Sequence, residues 1–328
     1  MADLRQMIAV VTGGSGFIGS HLIDALLETG AVVRQVLHTP AAAADVRSRL
    51  TQLTARLDNP SALRASGVLD GVTHVFHLAG RTRAHRAQEL FRANEATSAA
   101  LARALAATTP QARLIAVSSL AARGPSAPAQ PHHGADAPIE SYGASKLAAE
   151  RALFAAGLGS ITIVRPGAVY GPRDRDLLAA FRTARASTAW HPASPDQPFA
   201  LIHVADLVRA LIHVASVSAT ATVPLEVAGA TTTWRALYEE IALGAGRRPR
   251  HRQIPVRVLK AAASLAPAFD RLRGRTSLLT AQKLALALAP GWTGDDAPLR
   301  ALGWAPCISL TDGVRDTLAW YRAAGWCE

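Results

Sequence analysis

A tyrosine and a lysine stand four residues apart in the run Tyr142-Gly143-Ala144-Ser145-Lys146. On a helix this spacing places the phenol and the ammonium on one face. A free tyrosine has a pKa of about 10 and is a poor base at neutral pH, whereas a nearby ammonium favours the phenolate and lowers that pKa. The pair predicts proton transfer to or from a carbonyl or alcohol oxygen. The alternative is an amphipathic helix with an exposed tyrosine and lysine.

Two adjacent serines and an asparagine are candidates to support this pair. Ser118 and Ser119 end a strand pattern, where a parallel sheet presents its ligand-binding groups. One hydroxyl there would hydrogen-bond the substrate oxygen and stabilise developing negative charge, while the other would hydrogen-bond only backbone groups. Asn94 lies within a helical pattern, where it either holds a water that relays protons to Lys146 or is an ordinary polar helix position.

A glycine-rich run follows the first strand pattern and opens the first helix: Thr12-Gly13-Gly14-Ser15-Gly16-Phe17-Ile18-Gly19. Gly13, Gly16 and Gly19 allow a sharp turn, close approach of a pyrophosphate and tight packing of helix on strand. The start of the helix offers free N–H groups and a positive dipole end to phosphates. Loops also use glycine for left-handed backbone without any ligand. In this position the run predicts a dinucleotide site.

The end of the second strand bears on which dinucleotide binds. A preference for NAD calls for Asp or Glu there, about 20 residues after the glycine run, to bind the ribose diol. His38 holds that position, and Arg34 lies within the strand. A 2′-phosphate therefore meets no repulsion, and Arg34 or His38 would contact it. The sequence favours NADP, unless Arg34 points into solvent.

These residues must be positioned by alternating strands and helices. The apolar runs that predict strands are Met7–Thr12, Val32–Leu37, Thr73–Ala79, Leu114–Ser118 and Ile161–Arg165, with shorter strands at Ala200–Ile202 and Leu225–Ala228. The helical patterns between and after them are Phe17–Thr29, Gln88–Ala107, Tyr142–Ala156 and Val204–Ser216. Nearly continuous apolar strands with helical connections are typical of a doubly wound parallel α/β sheet.

The pattern loosens after Arg165 and is mainly helical from Thr231, which predicts two units. Residues 1–175 would form the dinucleotide-binding domain, with residues 200–228 returning to it. Residues 176–199 and 229–328 would form a smaller, mainly helical C-terminal lobe that walls the substrate cleft.

The net charge of +11 is compatible with anionic ligands, but the sequence has no long basic run. Arginines between residues 247 and 252 are not interleaved with aromatic side chains, so we expect no nucleic-acid partner. The two cysteines, Cys307 and Cys327, give neither a disulfide framework nor a metal site.

The N-terminal residues lack the apolar region of a signal peptide, and the chain lacks the apolar stretch of about 18 residues that a membrane span needs. We therefore expect a cytoplasmic protein. The apolar stretch Val256–Arg275 carries Arg and Lys on one side and is interpreted as a cap helix, so peripheral membrane contact is not expected.

Several of these motifs occur together, and in the same order, in the extended short-chain dehydrogenase/reductase superfamily. The chain resembles its epimerase/dehydratase and 3β-hydroxysteroid dehydrogenase-like branch over nearly its whole length. The shared features are Thr12–Gly19, Phe76-His77-Leu78-Ala79-Gly80, Asn94 with Thr97, Ser118-Ser119, Tyr142 with Lys146, Arg165-Pro166-Gly167-Ala168-Val169-Tyr170-Gly171-Pro172, Ile202-His203-Val204-Ala205-Asp206, and the tail from Leu302-Gly303-Trp304-Ala305-Pro306 to Trp320-Tyr321.

The resemblance implies a Rossmann fold, with Ser119, Tyr142 and Lys146 as a catalytic triad and Asn94 as a fourth member. It also implies that the cofactor is contacted by Leu78, Ala79, Gly80, Ser118, Pro166, Gly167 and Val169, together with the glycine run, Tyr142 and Lys146. Dimers through a helix pair are usual in this superfamily, so a homodimer is compatible with the resemblance.

Departures from the family pattern narrow the activity. Dehydratases of the family carry an Asp-Glu pair after the catalytic Ser or Thr, whereas Leu120 and Ala121 follow Ser119 here. Sugar-nucleotide enzymes commonly have Asn where Ala168 stands. The family's adenine-contacting Asp before the third predicted strand is replaced by Arg56, with Asp58 close by. Dehydration and a nucleotide-sugar substrate are therefore disfavoured.

We expect an NAD(P)-dependent reductase or dehydrogenase that interconverts a ketone and a secondary alcohol on a small, rather apolar molecule. The alternatives are an epimerase that retains its NAD, acting on a sugar-like substrate, and a non-catalytic cofactor-binding scaffold.

Overall fold

The computed structural model describes residues 4–39, 47–84, 86–128, 134–184, 188–191, 194–217, 223–244, 250–262, 264 and 281–327. Its central sheet has seven parallel strands in the order β10-β6-β5-β4-β1-β2-β3. These strands are β1 (Ile8–Thr12), β2 (Val32–Leu37), β3 (Leu50–Thr54), β4 (His74–His77), β5 (Arg113–Val117), β6 (Ile161–Pro166) and β10 (Leu225–Val227). This is the doubly wound Rossmann sheet that the sequence predicted.

Helices connect and cover the strands. They are α1 (Phe17–Glu28), α2 (Pro60–Ala65), α3 (Ala87–Phe91), α4 (Thr97–Thr108), α5 (Leu120–Arg123), α6 (Ser141–Phe154), α7 (Leu178–Ala184), α8 (Val204–Ser216), α9 (Trp234–Leu243), α10 (Ala281–Leu288), α11 (Ala297–Ala301) and α12 (Leu310–Ala323). The central strands are buried on both faces, as in Val10, Val11 and Val164, because helices lie on each side.

One predicted helix is divided. The pattern over Gln88–Ala107 becomes α3, a π-helical turn at Arg92–Ala96, and α4. Single π turns inside α-helices occur frequently at functional sites, and this one contains Asn94.

The edge strand β3 is absent from the predicted set. Its sequence, Leu-Thr-Gln-Leu-Thr, has only two apolar residues, and four of its five side chains are partly or fully exposed. An edge strand with one wet face lacks the continuous apolar signal of its neighbours. Its pairing with β2 is nevertheless complete, from Val33 opposite Leu50 to Leu37 opposite Thr54.

The second half of the chain contains more strands than predicted. β9 (Pro198–His203) pairs with β7 (Ala168–Tyr170) and β11 (Ala230–Thr233), and β8 (Thr188–His191) pairs with β12 (Arg250–Gln253). The division into a nucleotide-binding domain and a lobe stays a prediction.

Two residues assigned to the lobe pack with the first half of the chain. Leu299 and Trp304 share a buried core with side chains of α1 and α8. Of the stretch interpreted as a cap helix, only residues 256–262 and 264 are described, and 256–262 are helical. None of the described helices combines the length and apolar character that crossing a bilayer requires.

Candidate active site

The glycine run forms a tight turn between β1 and α1. Gly13 has a φ of 73°, and a Cβ there would lie 2.7 Å from the amide nitrogen of Ala79. A Cβ on Gly19 would overlap the carbonyl oxygen of Gly13. Only glycine therefore allows the loop to approach both the chain after β4 and the first turn of α1.

The start of α1 offers unpaired backbone donors. Gly16 precedes the first helical residue, Phe17, and no side chain caps this end of the helix. The N–H groups of the first turn, which includes Phe17 and Ile18, lack partners within the helix. Thr12 and Gly14 are buried beneath the turn and Ser15 is exposed on it. This cradle fits the pyrophosphate of a dinucleotide.

The other predicted cofactor contacts lie at the carboxyl ends of neighbouring strands. Leu78, Ala79 and Gly80 follow β4, and the amide of Leu78 donates to the carbonyl of Thr12 at 3.1 Å. Pro166 ends β6, and the amide of Gly167 donates to Val227 at 3.1 Å. Val169 lies in β7 and is half-buried.

Tyr142 lies in the first turn of α6, which begins where the Glu140 carboxylate accepts the amides of Tyr142 and Gly143. The phenol lies near the Ser119 hydroxyl, which acts to lower its pKa. Burial raises the pKa of Tyr142 to about 12, against which the Ser119 hydroxyl acts only in part. The expectation of an acidified phenol is therefore corrected: the phenol is held as a proton donor.

Lys146 lies one turn further along α6. Its Nζ donates to the carbonyl oxygen of Val117 at 2.7 Å, close to Ser119. Burial lowers the pKa of Lys146 to about 8, and the nearby Glu150 carboxylate opposes that shift. The ammonium stays largely charged at neutral pH despite the cost of its desolvation. Ser119 thus lies beside Tyr142, and Lys146 follows one turn later on the same helix; their catalytic role stays a prediction.

The two serines have different partners. Ser118 is buried, and its hydroxyl donates to Glu150. Glu150 in turn pairs with Arg165 at 2.5 Å, and Arg165 also pairs with Asp136 at 2.6 Å. The Ser118 hydroxyl is therefore part of a buried charge network beneath the site, and not turned toward a bound ligand. Ser119 caps α5 by accepting the amide of Ala121 and faces Tyr142.

Asn94 is buried, and its side chain is fully engaged. Oδ1 accepts the amide of Arg81 at 2.8 Å, while Nδ2 donates to the Arg81 carbonyl at 3.0 Å and to Ser145 Oγ at 2.8 Å. A Cβ on Gly80 would lie 2.6 Å from Asn94 Oδ1 and 3.9 Å from Lys146 Nζ. Asn94 thus fastens the loop after β4 to the helix that carries the tyrosine and lysine.

Arg34 is not part of the cofactor site, which corrects the prediction. Its guanidinium donates to the carbonyls of Val68 at 3.1 Å and Asp70 at 2.6 Å. These carbonyls precede β4, at the opposite end of the sheet from the glycine turn. His38 does lie at the expected place, exposed just after β2.

Three residues near the site carried no assigned role in the sequence reasoning. His77 is buried between Thr12 and Ser98. Ser145 links Asn94 to the Tyr142 carbonyl. Asp176 pairs with Arg83 at 2.8 Å, and its negative charge raises the pKa of Tyr142. His77 stands in the motif before Gly80, which is the one signal that could have drawn attention to it. Among the described residues no group of side chains is arranged to hold a metal ion.

Comparison with known proteins places this site in a family. Residues 9–224 match the model of the NAD dependent epimerase/dehydratase family. The chain is 33% identical to a ceramide reductase of Caulobacter vibrioides (strain NA1000 / CB15N), over 99% of this chain and 97% of that protein. It is 28% identical to a 4-hydroxy-2-methyl-3-oxo-4-farnesyl-3,4-dihydroquinoline-1-oxide ketoreductase of Stigmatella aurantiaca, over 94% and 95% of the two chains.

The fold also occurs in a solved UDP-glucose 4-epimerase of Thermus thermophilus in complex with NAD. The two superpose with a TM-score of 0.75 at 22% identity, covering 97% of this chain and 100% of the other. Together with the glycine cradle and the Ser-Tyr-Lys cluster, the family match identifies the enzyme class. The chain belongs to the NAD dependent epimerase/dehydratase family and is an NAD(P)-dependent oxidoreductase of the extended short-chain dehydrogenase/reductase type.

Proposed function

We propose that the protein is a ketone reductase acting on an amphiphilic molecule with a long hydrocarbon chain. The observation that carries this proposal is the position of the half-buried Tyr142 phenol beside Ser119 at the carboxyl end of the sheet, where burial raises its pKa. A phenol with a pKa of about 12 is an acid at neutral pH and a very poor base. It suits reduction of a carbonyl better than oxidation of an alcohol.

In the proposed reaction the chain's residues hold and protonate the carbonyl oxygen. The Ser119 hydroxyl donates a hydrogen bond to that oxygen, and Tyr142 transfers its proton to it as the carbon gains a hydride. The reduced nicotinamide supplies the hydride when bound. Lys146 donates one N–H to Val117, which leaves two for the ribose hydroxyls.

An apolar substrate is supported by what surrounds the site. Ile139, three residues before Tyr142 in the sequence, is an apolar side chain that is 38% exposed. Ala168 presents a methyl group on the exposed side of β7, where sugar-nucleotide enzymes of the family commonly have an amide. Leu120 and Ala121 provide no acid or base for dehydration.

The two curated relatives point to the same substrate class. Their names describe reductases, one of a ceramide and one of a 3-oxo compound that bears a farnesyl group. Both compounds join a polar head to a long hydrocarbon chain. Substrates of that shape are consistent with the exposed apolar side chains of Ile139 and Ala168.

We further propose NADP as the preferred cofactor. The amide of Ala55 donates to the carbonyl of Leu37 at 3.1 Å, so His38 and Arg56 follow adjacent strand ends. Arg56 is 64% exposed and pairs with Asp58 at 3.1 Å. A guanidinium at this strand end would contact the 2′-phosphate of NADP. Arg56 therefore replaces Arg34 as the residue proposed to bind that phosphate.

The test is reduction of a series of long-chain ketones with one polar head and increasing acyl length, followed by the loss of NADPH absorbance. We expect kcat/KM to rise with chain length, because each buried methylene contributes about 0.8 kcal/mol. Tyr142→Phe should abolish turnover and keep cofactor binding. Interconversion of a UDP-sugar without net loss of NADPH would show an epimerase instead. A Tyr142→Phe variant that keeps full biological function would show a scaffold.

A further inference from the structure

His77, at the end of β4, lies between two hydroxyl groups. Its Nδ1 is 2.7 Å from Thr12 Oγ1, and its Nε2 is 2.9 Å from Ser98 Oγ. All three side chains are buried. The reduction proposed above uses none of them, and an apolar side chain in the same place would avoid the cost of burying polar atoms.

The hydrogen bonds at the two outer hydroxyls determine which atoms donate and which accept in this row of side chains. The amide of Ala79 donates to Thr12 Oγ1 at 3.2 Å, and the Ser98 hydroxyl donates to the carbonyl of Asn94 at 2.7 Å. A hydroxyl has a single proton, so Ser98 must accept from His77. Nε2 of the imidazole therefore carries the proton, and the bare Nδ1 accepts the proton of Thr12.

Only one form of the imidazole satisfies every partner. A ring protonated on Nδ1 would leave Nε2 and Ser98 Oγ without a proton between them. A doubly protonated ring would leave the Thr12 proton without an acceptor. Burial, reinforced by the charge of Lys146, lowers the pKa of His77 to about 3, so the ring also stays neutral across the physiological range.

The two ends of this row of hydrogen bonds reach the two halves of the active site. Thr12 is the last residue of β1, directly before the phosphate-binding glycines. Asn94 holds both backbone groups of Arg81 and donates to Ser145, whose hydroxyl donates to the carbonyl of Tyr142 at 2.7 Å. A set of buried and part-buried hydrogen bonds, linked through the backbone and side chain of Asn94, therefore joins the cofactor loop to α6.

We propose that His77 is a positioning residue that, as a neutral ring protonated on Nε2, holds the cofactor loop and the Tyr142 helix at a fixed separation. The relay is defined as Thr12, His77, Ser98 and Asn94. The effect of the relay on catalysis rests on the proposed function. The effect of the relay on cofactor binding and the tautomer of His77 do not rest on it.

Breaking the relay on either side of His77 should misplace the cofactor relative to Tyr142. Misplacement by about 1 Å can cost on the order of a hundredfold in rate, so we expect Thr12→Val and Ser98→Ala each to slow single-turnover reduction at least tenfold. Thr12→Ser keeps the hydroxyl and should restore the rate. Because both changes disconnect the same imidazole, the double variant should be little worse than the worse single variant.

Thr109 provides a matched control. It is a buried threonine whose hydroxyl donates to the Leu69 carbonyl at 2.7 Å, outside the relay. Thr109→Val should lower the denaturation midpoint by an amount similar to Thr12→Val while leaving the cofactor dissociation constant and the single-turnover rate unchanged. If Thr109→Val slows reduction as much as Thr12→Val, or if the Thr12 and Ser98 losses simply add, the relay does not position the site.

The tautomer is tested directly on protein labelled with ¹⁵N-histidine. The ring signals of His77, assigned by their loss in His77→Gln, should show Nε2–H and bare Nδ1, unchanged between about pH 7 and pH 4. Titration near the ordinary value of 6.5, or a proton on Nδ1, would overturn the proposal. A protein that reduces no ketone but shows this tautomer, together with weakened cofactor binding in Ser98→Ala, would refute only the proposed function.

Discussion

The hydroxyl of Ser118 donates to the buried carboxylate of Glu150, while the adjacent Ser119 hydroxyl faces the phenol of Tyr142. The two adjacent hydroxyls thus reach different residues of one helix, α6, about two turns apart. One serves the charge network that anchors α6, and the other serves the cleft. The similarity of the two side chains hides two separate contributions, to stability and to turnover.

Replacing each serine by alanine should separate these contributions. Ser119→Ala removes the donor to the substrate oxygen and should lower kcat by about 10² or more with cofactor binding retained. Ser118→Ala leaves a buried carboxylate oxygen short of a partner and should cost about 1–3 kcal/mol of unfolding free energy. Steady-state kinetics and urea denaturation measure the two effects, with Ser119→Thr as the control that keeps a hydroxyl. The opposite assignment would be shown if Ser118→Ala gave the larger loss of kcat.

Alkaline pH should inactivate the enzyme through Lys146 and not through Tyr142. The pKa of Lys146 falls from 10.5 to about 8 on folding, so the unfolded chain binds more protons between these values and this group favours the fold increasingly as pH rises. Activity changes in the opposite sense, because the ammonium is lost above about 8 while the phenol stays protonated to about 12. The pH profile of ketone reduction should therefore fall above about 8. Lys146→Arg should move that fall upward, and an unmoved profile would exclude Lys146 as its source.

A methyl group on Gly19 should prevent dinucleotide binding. The new Cβ would overlap the Gly13 carbonyl and force the phosphate loop away from α1. We expect Gly19→Ala to raise the dissociation constants of NADPH and NADH at least tenfold in calorimetric titrations. Gly159→Ala is the matched control, since its Cβ would meet no atom within 4 Å. Unchanged binding in Gly19→Ala would place the cofactor elsewhere.

Two arginines should differ in their effect on cofactor preference. Arg56→Ala should weaken NADPH binding by about tenfold and leave NADH binding unchanged, because a charge-assisted hydrogen bond to a phosphate is worth about 1.5–3 kcal/mol. Arg34→Ala should lower thermal stability, since it loses the Val68 and Asp70 carbonyls, without altering the ratio of the two affinities. If Arg34→Ala changes that ratio and Arg56→Ala does not, the assignment of the 2′-phosphate site is reversed.

The sequence revealed those parts of the site that depend on local order. The glycine run and the Tyr142 and Lys146 pair were readable because each acts within a single turn or helix. The five apolar strands of the first half were readable because burial on both faces leaves few polar residues.

Features that depend on distant partners were not readable. The side of the sheet that Arg34 faces is decided by carbonyls more than thirty residues away. The different roles of Ser118 and Ser119 depend on Glu150, and the edge strand Leu50–Thr54 was missed because it lacks a continuous apolar run. The shift in the pKa of Tyr142 was predicted with the wrong sign, because burial raises this pKa and the carboxylates of Glu140 and Asp176 act in the same direction.

The π turn at Arg92–Ala96 lets this segment hold one residue more than an α-helix of the same length would. Each residue of an α-helix advances its side chain by about 100° around the axis, and the wide turn absorbs that extra advance. Deleting one residue there would return the turn to α geometry while α3, with its buried Leu90, kept its orientation. Such a deletion should therefore spare the packing of α3 and act chiefly on the hydrogen bonds of Asn94.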